Sequence, residues 1–80
     1  MQVIKRDGRA VDFDKSKIIK AIEKANTEVR KKERATKEDI DSIIEYIIAQ
    51  NKKRMLVEDI QDIIEEKLME CEKYELAKKY

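Results

Sequence analysis

The sequence has no histidine, tryptophan or proline, and it contains one glycine and one cysteine. Without histidine there is no imidazole base for a Ser-His or Cys-His nucleophile, and one thiol cannot build a zinc site. A lone Gly8 also excludes a Walker-type phosphate loop and the dinucleotide fingerprint, which need several glycines. We therefore predict that the chain is not an enzyme, with no catalytic residues and no metal held by protein side chains.

The length and charge point to one small domain. Eighty residues leave room for a single domain, residues 1–80, with one hydrophobic core. The charges of the 19 basic and 18 acidic residues nearly cancel. The chain as a whole therefore lacks the large positive charge that attracts nucleic acid or an anionic membrane. No apolar run is long enough to span a bilayer and no signal-like segment opens the chain, which predicts a soluble cytoplasmic protein. Cys71, unpaired, agrees with a reducing compartment and is expected to be a packed helical thiol.

The first fourteen residues predict a β-hairpin. Two short β-prone runs flank Asp7-Gly8, and both residues tolerate the positive φ angles of a two-residue turn. Such a turn would place Ile4 opposite Val11, with Phe13 on the same face, although a slip of one residue would exchange the faces. Arg54–Val57 is predicted to be a short third strand beside the hairpin.

Apolar residues at helical spacing predict helices over the rest of the chain. The first is predicted from about Lys15 to about Lys32, with Asp14 as its N-cap. The second begins at Thr36 with a capping box and should end near Asn51. Its apolar stripe is Ile40, Ile43, Ile44, Ile47 and Ile48.

Two further helices complete the predicted chain. The third has acidic residues in its first turn, which the helix dipole favours. Its stripe is Ile60, Ile63, Ile64, Leu68 and Cys71. Residues 74–80 resemble the opening of a fourth helix that stops before completing its turns.

Cations are concentrated near the N-terminus. Residues 1–24 carry seven basic and four acidic side chains, a net charge of +3. Lys5 and Arg6 in the hairpin, Lys17 at a helix start and free helix N–H groups could together bind a polyphosphate. The same cations could simply make the hairpin tip soluble, and their spacing alone does not decide between the two interpretations.

Several segments also carry a resemblance to a known family. Val3-Ile-Lys-Arg-Asp-Gly8, Phe13-Asp14, Lys17-Ile18, Val57–Asp62 and Tyr74–Ala77 resemble the ATP-cone, an allosteric adenine-nucleotide domain, over nearly all 80 residues. The start at Met1, and Ile60-Gln61 followed by Lys67-Leu68-Met69, are most similar to the N-terminal regulatory domain of the anaerobic (class III) ribonucleoside-triphosphate reductase.

The resemblance implies an α+β fold, in which the hairpin and a short third strand cover a small four-helix bundle whose fourth helix is truncated at Tyr80. It implies a regulatory domain of a ribonucleotide reductase that ATP activates and dATP inhibits. Mg²⁺ would bind to the nucleotide phosphates. The expected partners are adenine nucleotides, the catalytic body of the parent reductase and a possible nucleotide-dependent homo-oligomer, with no membrane and no nucleic acid.

The resemblance also assigns candidate site residues by position. Those expected to hold phosphates are Lys5, Arg6 and Lys17. Those expected to line the base and sugar pocket are Val3, Phe13, Ile18, Val57 and Ile60, although each would be a core residue in any such fold. Asp14 and Gln61 would make polar contacts, although Asp14 could serve only as a helix cap. Some family members have a hydroxyl residue where Val57 stands.

An alternative function is a small helical interaction module that binds protein or nucleic acid through the basic residues 1–24. No row of aromatic residues accompanies these cations, which disfavours nucleic acid. Salt dependence distinguishes the two: oligonucleotide binding should fall steeply with ionic strength, whereas a nucleotide pocket should prefer adenine to guanine.

Overall fold

A computed structural model describes all 80 residues as three strands, four α-helices and one 3₁₀ turn. The α+β class and the third strand are as predicted, and no helix has both the length and the apolarity needed to cross a bilayer. The elements are β1 (Gln2–Ile4), β2 (Ala10–Asp12), α1 (Lys15–Asn26), the 3₁₀ turn (Lys31–Glu33), α2 (Lys37–Ala49), β3 (Arg54–Leu56), α3 (Val57–Glu70) and α4 (Tyr74–Lys79).

The first strand lies at the centre of a mixed sheet of order β2-β1-β3. It pairs antiparallel with β2 and parallel with β3, so that Val3 lies between Val11 and Met55. Val57 belongs to α3 rather than to the end of the third strand as predicted. Because α3 follows β3 without a loop, its first turn is fixed at the edge of the sheet.

The predicted hairpin register is wrong by one residue: Val3, not Ile4, lies opposite Val11. The N–H of Lys5 donates to the Arg9 carbonyl at 2.8 Å, and the N–H of Gly8 donates to the Lys5 carbonyl at 2.9 Å. The loop therefore has three residues and ends in Gly8, whose φ is +89°, as in a type I turn followed by a left-handed residue. This register puts Val3 and Val11 on the face of the sheet that meets the helices.

The Asp14 cap is confirmed, but α1 is shorter than predicted. An Asp14 carboxylate oxygen accepts from the Ser16 N–H at 3.0 Å and from the Ser16 hydroxyl at 2.6 Å. The helix ends at Asn26 rather than near Lys32. There the Asn26 amide exchanges two hydrogen bonds with the backbone of Ala35, at 3.0 and 3.1 Å. These two hydrogen bonds close a loop between Asn26 and Ala35, in which Val29 is buried.

The capping box of α2 is confirmed. The N–H of Asp39 donates to the Thr36 hydroxyl at 3.1 Å, and the N–H of Thr36 donates to the Asp39 carboxylate at 2.9 Å. The N-cap residue of α3 is Leu56, which offers no side-chain cap. Glu58 and Asp59 in the first turn of α3 instead compensate its dipole.

The core is entirely apolar and joins the sheet to all four helices. Its most enclosed side chains are Ile22, Ile47, Ile64, Leu68 and Leu76. Ile48 is 54% exposed and Cys71 is an exposed residue just after α3, so the prediction that these two are packed is wrong.

The short helix α4 is held against the 3₁₀ turn by polar contacts. The Arg30 guanidinium forms two hydrogen bonds with the Glu75 carboxylate. The N–H of Glu75 donates to the Glu33 carboxylate at 3.1 Å, and the Lys73 ammonium donates to the Lys32 carbonyl at 3.0 Å. These contacts fix the start of α4, whose end reaches back toward the sheet.

Candidate functional site

Two adjoining cavities lie where the sheet meets α1 and α3. The first is mainly apolar, has a volume of about 180 Å³, and is lined by Val3, Lys5, Val11, Asp12, Phe13, Asp14, Lys17, Ile18, Val57, Ile60, Gln61 and Tyr80. The second, called the polar cavity because four of its five lining residues are polar or charged, has a volume of about 340 Å³ and is lined by Lys5, Arg6, Asp7, Val57 and Gln61. The cavities share Lys5, Val57 and Gln61 as lining residues, so they adjoin, and the two together are called the cleft below.

All ten candidate residues line this pair of cavities. Nine line the apolar cavity, and Arg6 lines the polar one. Some of these residues are far apart in sequence, from the first strand to the third helix. The parallel pairing of β1 with β3 brings them together, because α3 follows β3 directly. The structure therefore brings the candidate residues together, while their binding roles stay predictions.

The apolar walls come from both layers of the fold. Val3 belongs to the sheet, Ile18 to α1 and Ile60 to α3, and each is buried. Phe13 and Val57 are half-buried and pack against the core from the cavity side. The five side chains therefore belong to the core and also form the surface of a slot, which suits a flat, largely apolar ring.

Positive charge gathers at the start of α1. Its first turn contains Lys15 and Lys17 and no acidic residue, whereas the first turns of α2 and α3 contain acidic pairs. Lysines at a helix N-terminus oppose the dipole and gain no stability from it. Because Lys17 lines the apolar cavity and Lys5 lines both cavities, the ammonium groups and the positive end of the helix dipole together favour an anion there.

Asp14 caps α1 and also lines the apolar cavity. Both hydrogen bonds from Ser16 go to Oδ1, and no protein donor bonds Oδ2. The Ser16 hydroxyl, then the Ser16 N–H and the nearby lysines, hold the pKa of Asp14 below its ordinary value of 3.8. The carboxylate is therefore ionised at neutral pH and has one oxygen free to accept a ligand hydroxyl or amine.

The Arg6 side chain spans the polar cavity from the hairpin loop to α3. Its Nη2 donates to the Gln61 Oε1 at 3.2 Å, and its Nε lies 3.5 Å from the Glu58 Oε1. The Gln61 amide nitrogen donates to no protein group. Gln61 can therefore still offer a donor to a ligand while its oxygen is engaged by Arg6.

Sequence reasoning did not find four of the lining residues: Asp7, Val11, Asp12 and Tyr80. Val11 is absent from the segments that carry the family resemblance, and the structure pairs it with Val3 rather than with Ile4 as predicted. Tyr80 is brought in by α4, and burial raises the pKa of its phenol. Nothing in the local sequence near Tyr80 indicates that it reaches the sheet. No three side chains among Asp, Glu, His and Cys come together as a possible metal site.

Comparison with known proteins matches the chain to one family, and the relatives described here are all ribonucleoside-diphosphate reductases. The family model for the ATP cone domain matches residues 1–80. The chain is 40% identical over 70 residues to the vitamin B12-dependent ribonucleoside-diphosphate reductase of Thermoplasma acidophilum, a match that covers 85% of this chain. It is 35% identical over 91 residues to the ribonucleoside-diphosphate reductase subunit alpha of Chlamydia trachomatis, and 34% identical to that of Chlamydia muridarum, and both of these matches cover the whole chain.

The chain spans only 9% of the length of each of these relatives. All three are named as diphosphate reductases, so the predicted origin in an anaerobic triphosphate reductase finds no support among them and stays a prediction.

Proposed function

The chain belongs to the ATP-cone family, and from that premise we propose that it binds ATP or dATP in the two adjoining cavities and acts as a non-catalytic regulatory domain of a ribonucleotide reductase. The observation that carries this proposal is that an apolar slot and a polar cavity lie side by side, with Lys5 lining both and Arg6 and Lys17 each lining one. A purine and a triphosphate need these two environments side by side.

The cavity volumes support an extended ligand. Sites for small molecules usually enclose about 300–1,000 Å³. The apolar cavity, at about 180 Å³, is smaller than this range and fits a ring better than a whole nucleotide. The polar cavity adds about 340 Å³ next to it, enough for a chain of phosphates. We therefore assign the base and sugar to the apolar walls of the first cavity, and the phosphates to its charged edge at Lys5 and Lys17 and to the second cavity.

The polar residues have distinct proposed roles. Lys5 and Lys17 would act as point charges toward the phosphates, and Arg6 as a bidentate fork. Gln61 would read an edge of the adenine through its amide, and the free oxygen of Asp14 would accept a hydrogen bond from a ribose hydroxyl or an exocyclic amine. Because no carboxylate cluster is available, Mg²⁺ would bind to phosphate oxygens and water rather than to a protein cage.

Regulation of the parent enzyme would follow from a shift in populations. ATP and dATP differ by one ribose hydroxyl, so opposite effects require that the two ligands favour different conformational or oligomeric states. The partners proposed are the catalytic body of the reductase and further copies of the same chain. The anaerobic triphosphate class remains the more specific proposal, and the sequence that adjoins this domain in its parent gene would test it.

Calorimetric titration with ATP, dATP and GTP in the presence of Mg²⁺ tests the proposal. We expect saturable binding of ATP and dATP and weaker binding of GTP, because the slot and the Gln61 amide select the base. Circular dichroism of the same sample checks that the chain is folded. Equal affinities for ATP and GTP that fall steeply with salt would instead favour general binding of anions to the basic residues 1–24. The absence of any saturable heat with a folded chain would refute the proposal.

A further inference from the structure

Glu58 lies outside the predicted site but contacts one of its residues. It belongs to the first turn of α3, and its Oε1 lies 3.5 Å from the Nε of Arg6. The same guanidinium donates through Nη2 to the Gln61 Oε1 at 3.2 Å. The hairpin loop is therefore tied to α3 by a bridge formed by Arg6, Glu58 and Gln61, and two of its members line the polar cavity.

We propose that Glu58 is an anion that competes with phosphate for Arg6 and thereby sets the affinity for nucleoside polyphosphates. This inference rests on the proposed function, because it takes the polar cavity as the phosphate site. A phosphate that uses the Arg6 fork must displace Glu58 or share the guanidinium with it. In either case a carboxylate and a phosphate of the same charge sign come close together, which opposes binding.

The bridge also links phosphate binding to the contact with the base. While Arg6 occupies the Gln61 oxygen, the amide has fewer orientations available to meet an adenine edge. A ligand whose phosphates draw Arg6 away frees that oxygen, whereas adenosine has no phosphate with which to do so. The effect of Glu58 should therefore grow with the number of phosphates and be absent for the nucleoside.

Solvent limits the size of the effect. The Arg6 and Glu58 side chains are 72% and 47% exposed, so their attraction is screened as in other surface ion pairs. For a single exposed pair of this kind, removal of the carboxylate should change the affinity for ATP by about two- to fivefold. A change of this size is within reach of calorimetry.

The matched pair of variants is Glu58→Gln and Asp59→Asn. Both residues lie in the first turn of α3, both are exposed, and each substitution removes one negative charge; Asp59 forms no ion pair. We expect Glu58→Gln to bind ATP and inorganic tripolyphosphate about two- to fivefold more tightly than Asp59→Asn does. Adenosine should bind the two variants equally. In an Arg6→Ala background, the two substitutions should have the same effect on every ligand.

The ligands separate the two ways of failing. If ATP binds no better than GTP but tripolyphosphate still distinguishes Glu58→Gln from Asp59→Asn, the adenine function is wrong and the role of Glu58 stands. Equal affinities of the two variants for ATP and tripolyphosphate would overturn the role of Glu58 alone. Weaker binding by Glu58→Gln would also overturn it, because Glu58 would then be helping Arg6 to meet the phosphate. If no polyphosphate binds the folded chain, both proposals fail.

Discussion

At the scale of single residues, the first turn of α1 offers the clearest contrast in the site. Lys15 and Lys17 are two positions apart and both oppose the helix dipole. Lys17 lines the apolar cavity, whereas Lys15 does not. The two lysines therefore contribute similarly to the general field of the domain, but only Lys17 lines the proposed nucleotide site.

We expect Lys17→Ala to weaken ATP binding by about tenfold or more, since a hydrogen bond to a charged group contributes about 1.5–3 kcal/mol. Lys15→Ala should change the affinity much less, because it removes the same charge from the same helical turn without removing a group that lines the cavity. Calorimetric titration of the two variants measures the difference. Equal losses would show that the lysines act only through the overall field, and the assignment of Lys17 to the site would be wrong.

Some roles of individual residues could be predicted from sequence and others could not. Asp14 and Thr36 are recognisable as caps because their partners lie within three residues along the chain. Cys71 has no such local signal. It continues the apolar stripe of α3, which predicts that it is buried, but it lies just after the end of the helix and is exposed. Glu58 likewise meets Arg6 only through the tertiary fold.

At the scale of elements, the hairpin loop determines which side chains reach the cleft. Gly8 ends a three-residue loop with φ at +89°, and Asp7 supports the loop by accepting from the Arg9 backbone N–H at 3.0 Å. An atom added at the Gly8 Cβ position would meet nothing within 4 Å. The glycine is therefore required by its backbone conformation and not by lack of space.

We expect Gly8→Ala to lower the free energy of unfolding by about 1 kcal/mol, because an alanine is strained in the left-handed region. Gly8→Asn is the matched control and should lose less, since asparagine tolerates this region through local hydrogen bonds. Urea denaturation of the three proteins compares their stabilities. If alanine and asparagine destabilise equally, the positive φ is not what the loop requires of this residue.

The starts of the helices were predicted better than their ends and better than the strand register. Capping signals are local, so the predicted starts at Lys15 and after Thr36 agree with the structure. The end of α1 depends on the contact of Asn26 with Ala35. The residue pattern within the helix does not predict this contact. The choice between a two- and a three-residue hairpin loop is also fixed from outside, because only the observed register turns Val3 toward the core.

At the scale of the whole molecule, three ionised carboxylates support the fold: Glu75 joins parts that are distant in sequence, and Asp7 and Asp14 make local hydrogen bonds. The hydrogen bonds from Arg30 hold the pKa of Glu75 below its ordinary value of 4.5 and fasten α4 to the loop before the 3₁₀ turn. Asp7 and Asp14 also have lowered pKa values, the first chiefly through the Arg9 N–H and the second chiefly through the Ser16 hydroxyl. All three groups stabilise the fold in their ionised form.

Stability should therefore fall in acid. A carboxyl whose pKa is lower in the folded state contributes stability that is present above its unfolded pKa and is lost as the pH falls through the folded pKa. We expect the free energy of unfolding to be retained down to about pH 4.5, the ordinary pKa of Glu75, and to decrease below it. Urea denaturation at a series of pH values measures this.

Glu75→Gln is the control for that series. It should be less stable than the parent chain at pH 7 and should lose less stability on acidification, because one of the three titrating groups is gone. If both proteins lose the same stability between pH 5 and pH 3, the pair of Arg30 and Glu75 does not contribute to acid sensitivity, and the other carboxylates account for all of it.

The order of strands has a consequence for how the protein is made. β1 is translated first, yet it lies in the middle of the sheet and pairs on one side with residues 54–56. A nascent chain emerging from the ribosome therefore cannot complete the sheet until Arg54–Leu56 has been synthesised, and Gln61 follows later still. The cleft therefore forms only near the end of the synthesis of residues 1–80, so a nascent chain that ends before α3 should lack the proposed nucleotide site.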